Sequence, residues 1–231
     1  MAAELLQNPL FGVGLTLAVY TLAQKAYART GSILLNPVAT TIAVIILLLL
    51  GLEIPYESYA QGGRIILFFL GPAVVALGVP LYQRRREILE RKLPILAGVA
   101  AGALSSIVTA SGLAWVLGGS RELVLTMAPK SVTTPIAIGI AEKIGGIPSL
   151  AAAIVVLTGC LGAICGPEFC RLIGLRDPIS TGLAVGTAAH GIGTARMLEV
   201  DRLGGAISGL AIGLNGIVTA VLAPLLFLLF P

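Results

Sequence analysis

Long apolar runs recur along the whole chain, and short polar or basic stretches separate them. A helix needs about 20 apolar residues to cross the hydrocarbon core of a bilayer, and these runs approach or reach that length. The pattern predicts an all-α, polytopic membrane protein with eight hydrophobic segments. We place them at about 9–27, 33–51, 65–82, 94–118, 123–141, 148–166, 179–197 and 204–230.

The composition strengthens this prediction. Hydrophobic residues make up 57% of the chain and charged residues 11%, whereas about a quarter of the residues of a soluble domain are charged. No break in composition marks a soluble part, so we expect one integral membrane domain over residues 1–231. No basic n-region precedes the first segment, so we expect no cleaved signal peptide.

The positive charges cluster in one place. Five of the fifteen cations lie in the sequence RRREILERK (84–92). Cytoplasmic loops of membrane proteins are rich in Lys and Arg. We therefore expect a multi-pass protein of the cell (inner) membrane with this loop on the cytoplasmic side. If all eight segments cross, ten cations fall inside, four fall outside, and the N-terminus lies outside. The net charge of +4 then reflects membrane topology and does not indicate a nucleic-acid partner.

Segment 123–141 contains a sequence that should interrupt its helix, APKSVTTPIAIG (128–139). Pro135 lacks the backbone donor of a helix interior, and Pro129 disfavours helical geometry at the residue before it. Thr134 before Pro135 is typical of a helix start, with Thr134 as the N-cap. We therefore predict a helix that ends near Met127, an unwound stretch, and a half-helix that begins near Pro135.

Lys130 lies in the predicted unwound stretch. A lysine near the bilayer centre costs about 2.5–3.5 kcal/mol, so it needs an acidic partner or an anionic substrate. The segment itself has no acidic residue, and Glu122 and Glu142 lie just beyond its two ends, which favours a substrate carboxylate. The alternative is that Lys130 reaches an interface or caps a helix C-terminus. The neighbouring hydroxyls that we expect to bind the substrate belong to Ser131, Thr133 and Thr134.

Segment 179–197 has a second candidate break, the sequence GTAAHGIGT (186–194). Its helix-breaking residues are predicted to be Gly186, Gly191 and Gly193. His190 is the chain's one histidine and titrates near neutral pH, so it is a candidate substrate ligand and proton carrier, or else a core residue. The candidate substrate-binding residues here are Thr187, His190 and Thr194.

Two broken segments predict one central site, the arrangement of secondary transporters. Whether these segments cross the membrane or re-enter it stays open. Two pairs of stretches also hint at an inverted repeat: 36–44 resembles 130–138, and 70–78 resembles 185–193. The first pair is offset by three spans, as an inverted repeat requires, but the second is offset by four. We expect an elevator-type transporter architecture.

Other chemistries have little support in the sequence. The three cysteines recur every five residues, which spreads them around a helix and does not match a CxxC zinc motif. The chain has no P-loop, HExxH or GxSxG motif. We therefore expect no enzyme activity, no metal and no cofactor.

The two broken stretches, 128–153 and 182–201, also resemble the LrgB/CidB family, and LLNPV (34–38) and PAVVALGVPLY (72–82) fit the same family. The resemblance covers nearly the whole chain. It implies one of two functions. One is transport of small monocarboxylates such as glycolate, glycerate, lactate or pyruvate, because a plastid glycolate/glycerate translocator is similar. The other is antiholin-like regulation of murein hydrolases and cell lysis, acting with a small LrgA/CidA-like membrane protein.

The resemblance also bears on the site and the partners. The family motifs match at the candidate residues of both broken stretches, while Ala189 and Gly191 depart from the commoner Ser and Ala. The plant relative carries an LrgA-like part that is not seen here, so a separate partner of that type is an expectation. By analogy with carriers that move against a fixed scaffold, a homodimer is another expectation.

Overall fold

The computed structural model of the protein describes residues 8–32, 35–69, 72, 75–76, 78–83 and 85–229. Within these residues the regular secondary structure is helical, which confirms the all-α prediction. The helices are α1 Pro9–Thr30, α2 Pro37–Gly51, α3 Tyr56–Phe68, α4 Gly78–Gln83, α5 Arg85–Glu90, α6 Lys92–Val116, α7 Arg121–Met127, α8 Thr134–Ile144, α9 Pro148–Leu172, α10 Pro178–Val200 and α11 Arg202–Leu229.

The chain divides after Ala76 into two compact units. The first contains α1 to α3 and the second contains α4 to α11. The expectation of one domain over residues 1–231 stays a prediction.

Three helices of the described chain, α6, α9 and α11, are long and apolar enough to span a membrane. Helix α2 is apolar but shorter. Many large apolar side chains on these helices point outward, and Leu113, Leu161 and Val221 are each more than half exposed. Such surfaces are stable against lipid tails, so the prediction of a membrane protein holds. The total of eight segments stays a prediction.

In the first unit, α3 differs from the prediction. The polar stretch 53–64 lies between the predicted segments 33–51 and 65–82, yet it is helical from Tyr56 onward. The reason lies in packing against α1, where Gly62 and Gly12 bring the two backbones into close contact. Beside them, the hydroxyls of Tyr59 and Thr16 are hydrogen-bonded at 3.0 Å. Tertiary contacts thus offset the polar sequence of this helix.

The second unit is built on three long helices, of which α6 and α11 run in the same direction. Ile95 packs with Ile207 near the beginnings of these helices, and Ile107 packs with Ala223 further along. Helix α9 runs the opposite way. It ends at Leu172, five residues before Asp177, whose carboxylate pairs with Arg91 at the start of α6. We call the end of the unit at Arg91 and Asp177 the basic end.

Helices α7 and α8 form hairpin 1 (121–144) with the non-helical residues 128–133 at its tip. Hydrogen bonds of α6 trace its first arm, because Ser111 bonds to Val124 and Ser106 bonds to Ser131. The chain therefore runs from the C-terminal end of α6 toward its middle. Helix α8 then returns, because Gly146 packs against Thr126 after it. Hairpin 1 thus enters the unit from the end opposite the basic end.

Helix α10 forms hairpin 2 (178–200), which reverses at His190. Before the reversal, Gly182 packs against Gly204 and Gly186 against Ser208, so the first arm runs parallel to α11. After it, Thr194 bonds to Ser208 and Gly205 packs against Leu198, so the second arm runs antiparallel to α11. Hairpin 2 thus enters from the basic end.

Two expectations therefore need correction. If all eight segments crossed, the loop 84–92 would lie inside and Arg176 outside. Asp177, the residue after Arg176, instead pairs with Arg91 at 3.4 Å, so the two regions lie at the same end of the unit. Segments 123–141 and 179–197 each fold back within the second unit, which favours re-entry, one of the two alternatives left open by the sequence. The basic stretch 84–92 is also not simply a loop, because α5 covers Arg85–Glu90.

Helix α6 followed by hairpin 1, and α9 followed by hairpin 2, have the same order of elements in opposite directions. This relation differs from the sequence pairs that hinted at a repeat. Stretch 36–44 belongs mainly to α2 in the first unit, and much of 70–78 lies outside the described residues.

Candidate functional site

The tip of hairpin 1 carries Lys130. The break lies between Pro129 and Pro135, as their chemistry predicts, but Thr133 and not Thr134 is the N-cap of α8. The side chain of Thr133 makes no capping hydrogen bond. The predicted unwound stretch is thus present, with a start one residue different from the expected one.

Lys130 is half buried, and its Nζ donates a hydrogen bond to Ser131 Oγ at 3.0 Å. The Ser131 hydroxyl is also hydrogen-bonded to Ser106 Oγ of α6 at 2.8 Å. Among the described residues no carboxylate forms a salt bridge with Lys130. The ammonium group therefore has a neutral partner and capacity for an anion, because it can donate three hydrogen bonds.

The tip of hairpin 2 is built around His190. Its backbone has φ 42° and ψ −139°, a conformation that residues with a side chain rarely adopt. The imidazole is 4% exposed, and its Nε2–H donates to Val155 O of α9 at 2.8 Å. Thr194 Oγ1 donates to His190 O at 2.8 Å and is bonded to Ser208 Oγ. These contacts hold the strained turn in place.

The two tips meet at the middle of α11. Asn215, the fourteenth residue of this 28-residue helix, is fully buried. Its Nδ2 donates to Ser131 O at 3.0 Å and to Thr187 O at 3.1 Å. A single side chain therefore contacts the backbone of both hairpins.

A cavity of about 630 Å³ extends along α6 and the first arm of hairpin 2. At the basic end Arg91 and Ser180 line it, and at its inner end Lys130, Ser131 and Thr187 line it. The close passage of the two helices depends on α6 glycines, since a Cβ at residue 102 would lie 2.8 Å from Thr187 Cγ2. The cavity connects Lys130 to the basic end.

The charged side chains that line the cavity are basic. Lys130 and Arg91 line it, and the described lining residues include no carboxylate. Further hydroxyls come from Ser105, Ser106 and Thr109 of α6. Thr187 Oγ1 is buried and has no hydrogen-bond partner among the described residues, although it can both donate and accept. A buried, unsatisfied hydroxyl is costly, so a bound molecule with an oxygen in reach gains affinity there.

Asp177 stands at the mouth of this cavity. Its carboxylate accepts from Ser180 N and Ser180 Oγ at 2.9 and 2.8 Å, and it pairs with Arg91 at 3.4 Å. Partial burial acts to raise the pKa of this carboxyl, but the hydrogen bonds from Ser180 and the charge of Arg91 outweigh burial. The pKa of Asp177 therefore lies below its ordinary value.

The structure separates the predicted site residues into two groups. Lys130, Ser131 and Thr187 line one cavity. The predicted residues that the structure places elsewhere are Thr133, Thr134, His190 and Thr194. His190 and Thr194 hold hairpin 2 together, and their predicted contact with substrate stays a prediction.

The helix break lies at the predicted residues in hairpin 1 and at a different residue in hairpin 2. Pro129 and Pro135 flank the break of hairpin 1. In hairpin 2 the non-helical residue is His190, while Gly186, Gly191 and Gly193 have helical geometry. Gly186 does not break the helix. Because it has no side chain, it lets the first arm of hairpin 2 pack closely against Ser208 of α11.

Asn215 and the α6 hydroxyls were not predicted from the sequence. The available signal for Asn215 was a carboxamide in the middle of a long apolar segment, where an unpaired polar group is costly. Ser106 lies at the fifteenth position of the 25-residue α6, close to its middle as well. A polar side chain near the middle of a long apolar segment is thus the signal that both residues share.

The sequence comparisons agree with this picture of a membrane protein. The model of the LrgB-like family matches residues 16–229. The chain belongs to the LrgB-like family. The resemblance noted in the sequence is thereby confirmed.

Several relatives match over almost their whole length. The chain is 37% identical to YxaC of Bacillus subtilis over 216 residues, which cover 94% of each protein. It is 37% identical to YwbG of the same organism over 212 residues, 92% of this chain and 94% of the relative. It is 32% identical to the holin-like protein CidB of Staphylococcus epidermidis over 216 residues, 94% of each. No solved structure matches the chain significantly.

Proposed function

We propose that this LrgB-like protein is a secondary transporter of small monocarboxylates that works by alternating access. The observation that carries the proposal is Lys130, a cation without a carboxylate partner among the described residues, at the inner end of a cavity between two hairpin tips. Opposed broken helices that meet near the middle of the membrane are a known way to bind small ions and substrates.

The cavity chemistry indicates the substrate class. Lys130 Nζ would bind the carboxylate, since a charged hydrogen bond is stronger than a neutral one. Thr187 Oγ1 would pair with a second oxygen, whether hydroxyl or carbonyl. Glycolate, glycerate, lactate and pyruvate all carry an oxygen next to the carboxylate. The cavity-lining residues of the described chain include no carboxylate or histidine, which favours transport over acid–base catalysis.

The re-entrant hairpins support a cytoplasmic basic end. Among the described residues of the second unit, the cations at that end are those of 85–92 together with Arg171, Arg176, Arg196 and Arg202. The cations at the other end are Arg121 and Lys143. If every segment crossed the membrane in turn, the same cations would be divided less unequally between the two sides. A larger excess of Lys and Arg on one side fits the positive-inside rule, which places that side in the cytoplasm for a protein of the cell (inner) membrane. The conformation described here then opens to the cytoplasm.

Uptake into proteoliposomes tests the proposal. Labelled glycolate, lactate and pyruvate are offered to the wild type, to Lys130→Met, and to Lys143→Met as control. Met removes the charge and keeps much of the length, and Lys143 is an exposed lysine of the same hairpin. A charged hydrogen bond contributes about 1.5–3 kcal/mol, so we expect the KM of Lys130→Met to rise about tenfold to a hundredfold. The control should match the wild type.

Two results would contradict the proposal. Saturable uptake with an unchanged KM in Lys130→Met would remove the lysine from the binding site. No uptake of any acid by the folded wild type, with or without a co-purified partner, would reject the transporter function.

Proton coupling by His190 is a separate part of the proposal. The imidazole is buried against α9, and within the described chain it does not line the cavity. His190→Gln keeps an N–H donor for Val155 O but removes the titratable group. If His190 carries the proton, uptake by this variant loses its dependence on a proton gradient while the protein stays folded. If uptake by His190→Gln depends on the proton gradient as in the wild type, His190 is not the proton carrier.

A second candidate function is antiholin-like regulation of murein hydrolase export and lysis through an LrgA/CidA-like partner. The name of the staphylococcal relatives, holin-like protein CidB, supports it. Such a role needs packing surfaces and no cation in a cavity. Lysis control that persists in Lys130→Met, in cells that co-express the small partner, would favour this candidate.

A further inference from the structure

Asn215 combines depth, burial and an unusual pair of contacts. It is fully buried in the middle of α11. Its carboxamide nitrogen donates to two backbone carbonyls that are far apart in sequence, those of Ser131 and Thr187. Its Oδ1 accepts from Thr219 Oγ1 at 3.3 Å, one turn further along α11. The side chain therefore uses both N–H donors and one acceptor position.

Each of the two carbonyls is made available by a break in a helix. Ser131 lies in the non-helical tip of hairpin 1, and Thr187 lies three residues before the reversal at His190. The last four carbonyls of a helix have no partner within it. In a membrane interior an unpaired carbonyl is costly, because no water is at hand to replace the lost bond. Asn215 supplies donors where both breaks need them.

The same two residues contribute side chains to the cavity. Ser131 Oγ accepts from Lys130 Nζ, and Thr187 Oγ1 is the buried hydroxyl without a partner in the described chain. Asn215 itself is absent from the described cavity lining. Its amide thus fixes the backbone behind two groups that would contact a bound acid.

We propose that Asn215 is a positioning residue, which holds the two hairpin tips at one spacing and so keeps Lys130 and Thr187 directed into one site. Displacement of either tip relative to α11 breaks one of its hydrogen bonds. The tips therefore stay together while an acid is bound. The link to affinity rests on the proposed transport, whereas the link between the tips does not.

Hydrogen–deuterium exchange on the full chain in lipid nanodiscs tests the link between the tips without any substrate. The variant Asn215→Leu has a similar volume and no donor, and Thr219→Val is the control that keeps both Asn215 donors in place. We expect backbone exchange to become about tenfold faster in the peptides of both tips, 128–133 and 187–191, in Asn215→Leu. Thr219→Val should exchange at the wild-type rate in both peptides.

If Asn215→Leu does not fold, Asn215→Asp replaces it, since it keeps the shape and supplies one proton donor at most. Faster exchange at both tips supports the proposal. Faster exchange at one tip only, at neither tip, or equally in Thr219→Val overturns it.

Uptake kinetics test the effect on the binding site. Loss of positioning should raise the KM for the acid about tenfold, with Vmax per folded molecule close to the wild-type value. A residue that only stabilises the fold would reduce the amount of folded protein and leave the KM unchanged, and that result overturns the positioning role. A wild type without uptake rejects the proposed function, and the exchange experiment then decides the link between the tips by itself.

Discussion

Replacing Gly186 with alanine tests the packing of hairpin 2 against α11. A Cβ at this position would meet three backbone atoms of Ser208, all closer than 3.0 Å. Backbone atoms cannot rotate out of the way as a side chain can. The first arm and α11 would have to separate, and Thr187 would move with the arm.

The magnitude follows from three contributions. Alanine stabilises an open helical position by about 0.5–1 kcal/mol relative to glycine. Overpacking of a tight contact costs about 1–3 kcal/mol. Stretching the bond from Asn215 to Thr187 O costs about 1 kcal/mol more. We therefore expect Gly186→Ala to lower the free energy of unfolding by about 1–3 kcal/mol.

Gly213→Ala is the matched control on α11. A Cβ there meets nothing within 4 Å, so we expect a small gain in stability. For a chain of this size 1 kcal/mol shifts Tm by about 2–4 °C, so the Tm values of the two variants should differ by about 3–16 °C. Thermal melting in detergent, followed by the monodisperse fraction, measures this difference. A Gly186→Ala variant that melts at or above Gly213→Ala would refute the close contact.

Two further predictions concern charged residues. Asp177→Ala should cost about 1 kcal/mol at neutral pH, because Asp177 caps hairpin 2 and pairs with Arg91. Since the pKa of Asp177 is lowered in the folded state, its stabilisation is present above the ordinary carboxyl pKa. It is lost as the pH falls through the folded-state value, so the Tm difference from wild type should shrink in acid. Arg196→Ala should cost about 2 kcal/mol or more, because Glu168, 3.0 Å away and 22% exposed, would lose its cation. Glu168→Gln in that background should restore part of the Tm, and a double variant no more stable than Arg196→Ala would contradict this.

Much of the fold could be predicted from local sequence. Asn36 followed by Pro37 predicts the start of α2, and the structure has Asn36 as its N-cap. Pro129 and Pro135 predict the break of hairpin 1 because proline acts on its own backbone and on the residue before it. Helix α3 could not be predicted this way, since its polar sequence is stabilised by the contact of Gly62 with Gly12.

The candidate site was predicted in part. Lys130 could be found because a charge in an apolar segment is expensive wherever the segment lies. His190 was found for its chemistry, yet the structure directs its Nε2–H to the backbone of Val155. Asn215 has a local signal, a carboxamide in the middle of an apolar segment, but its role could not be predicted because its partners are 84 and 28 residues away in sequence.

The sequence by itself determined the helical class, the membrane environment, the family and the position of the first break. These depend on hydrophobic length and on backbone chemistry, which act over a few residues. Only the tertiary structure decided that both broken segments turn back, that they enter from opposite ends, and that Lys130 and Thr187 share one cavity. The turn at His190 needs partners on α9 and α11 to offset its strained backbone, and no local pattern encodes those partners.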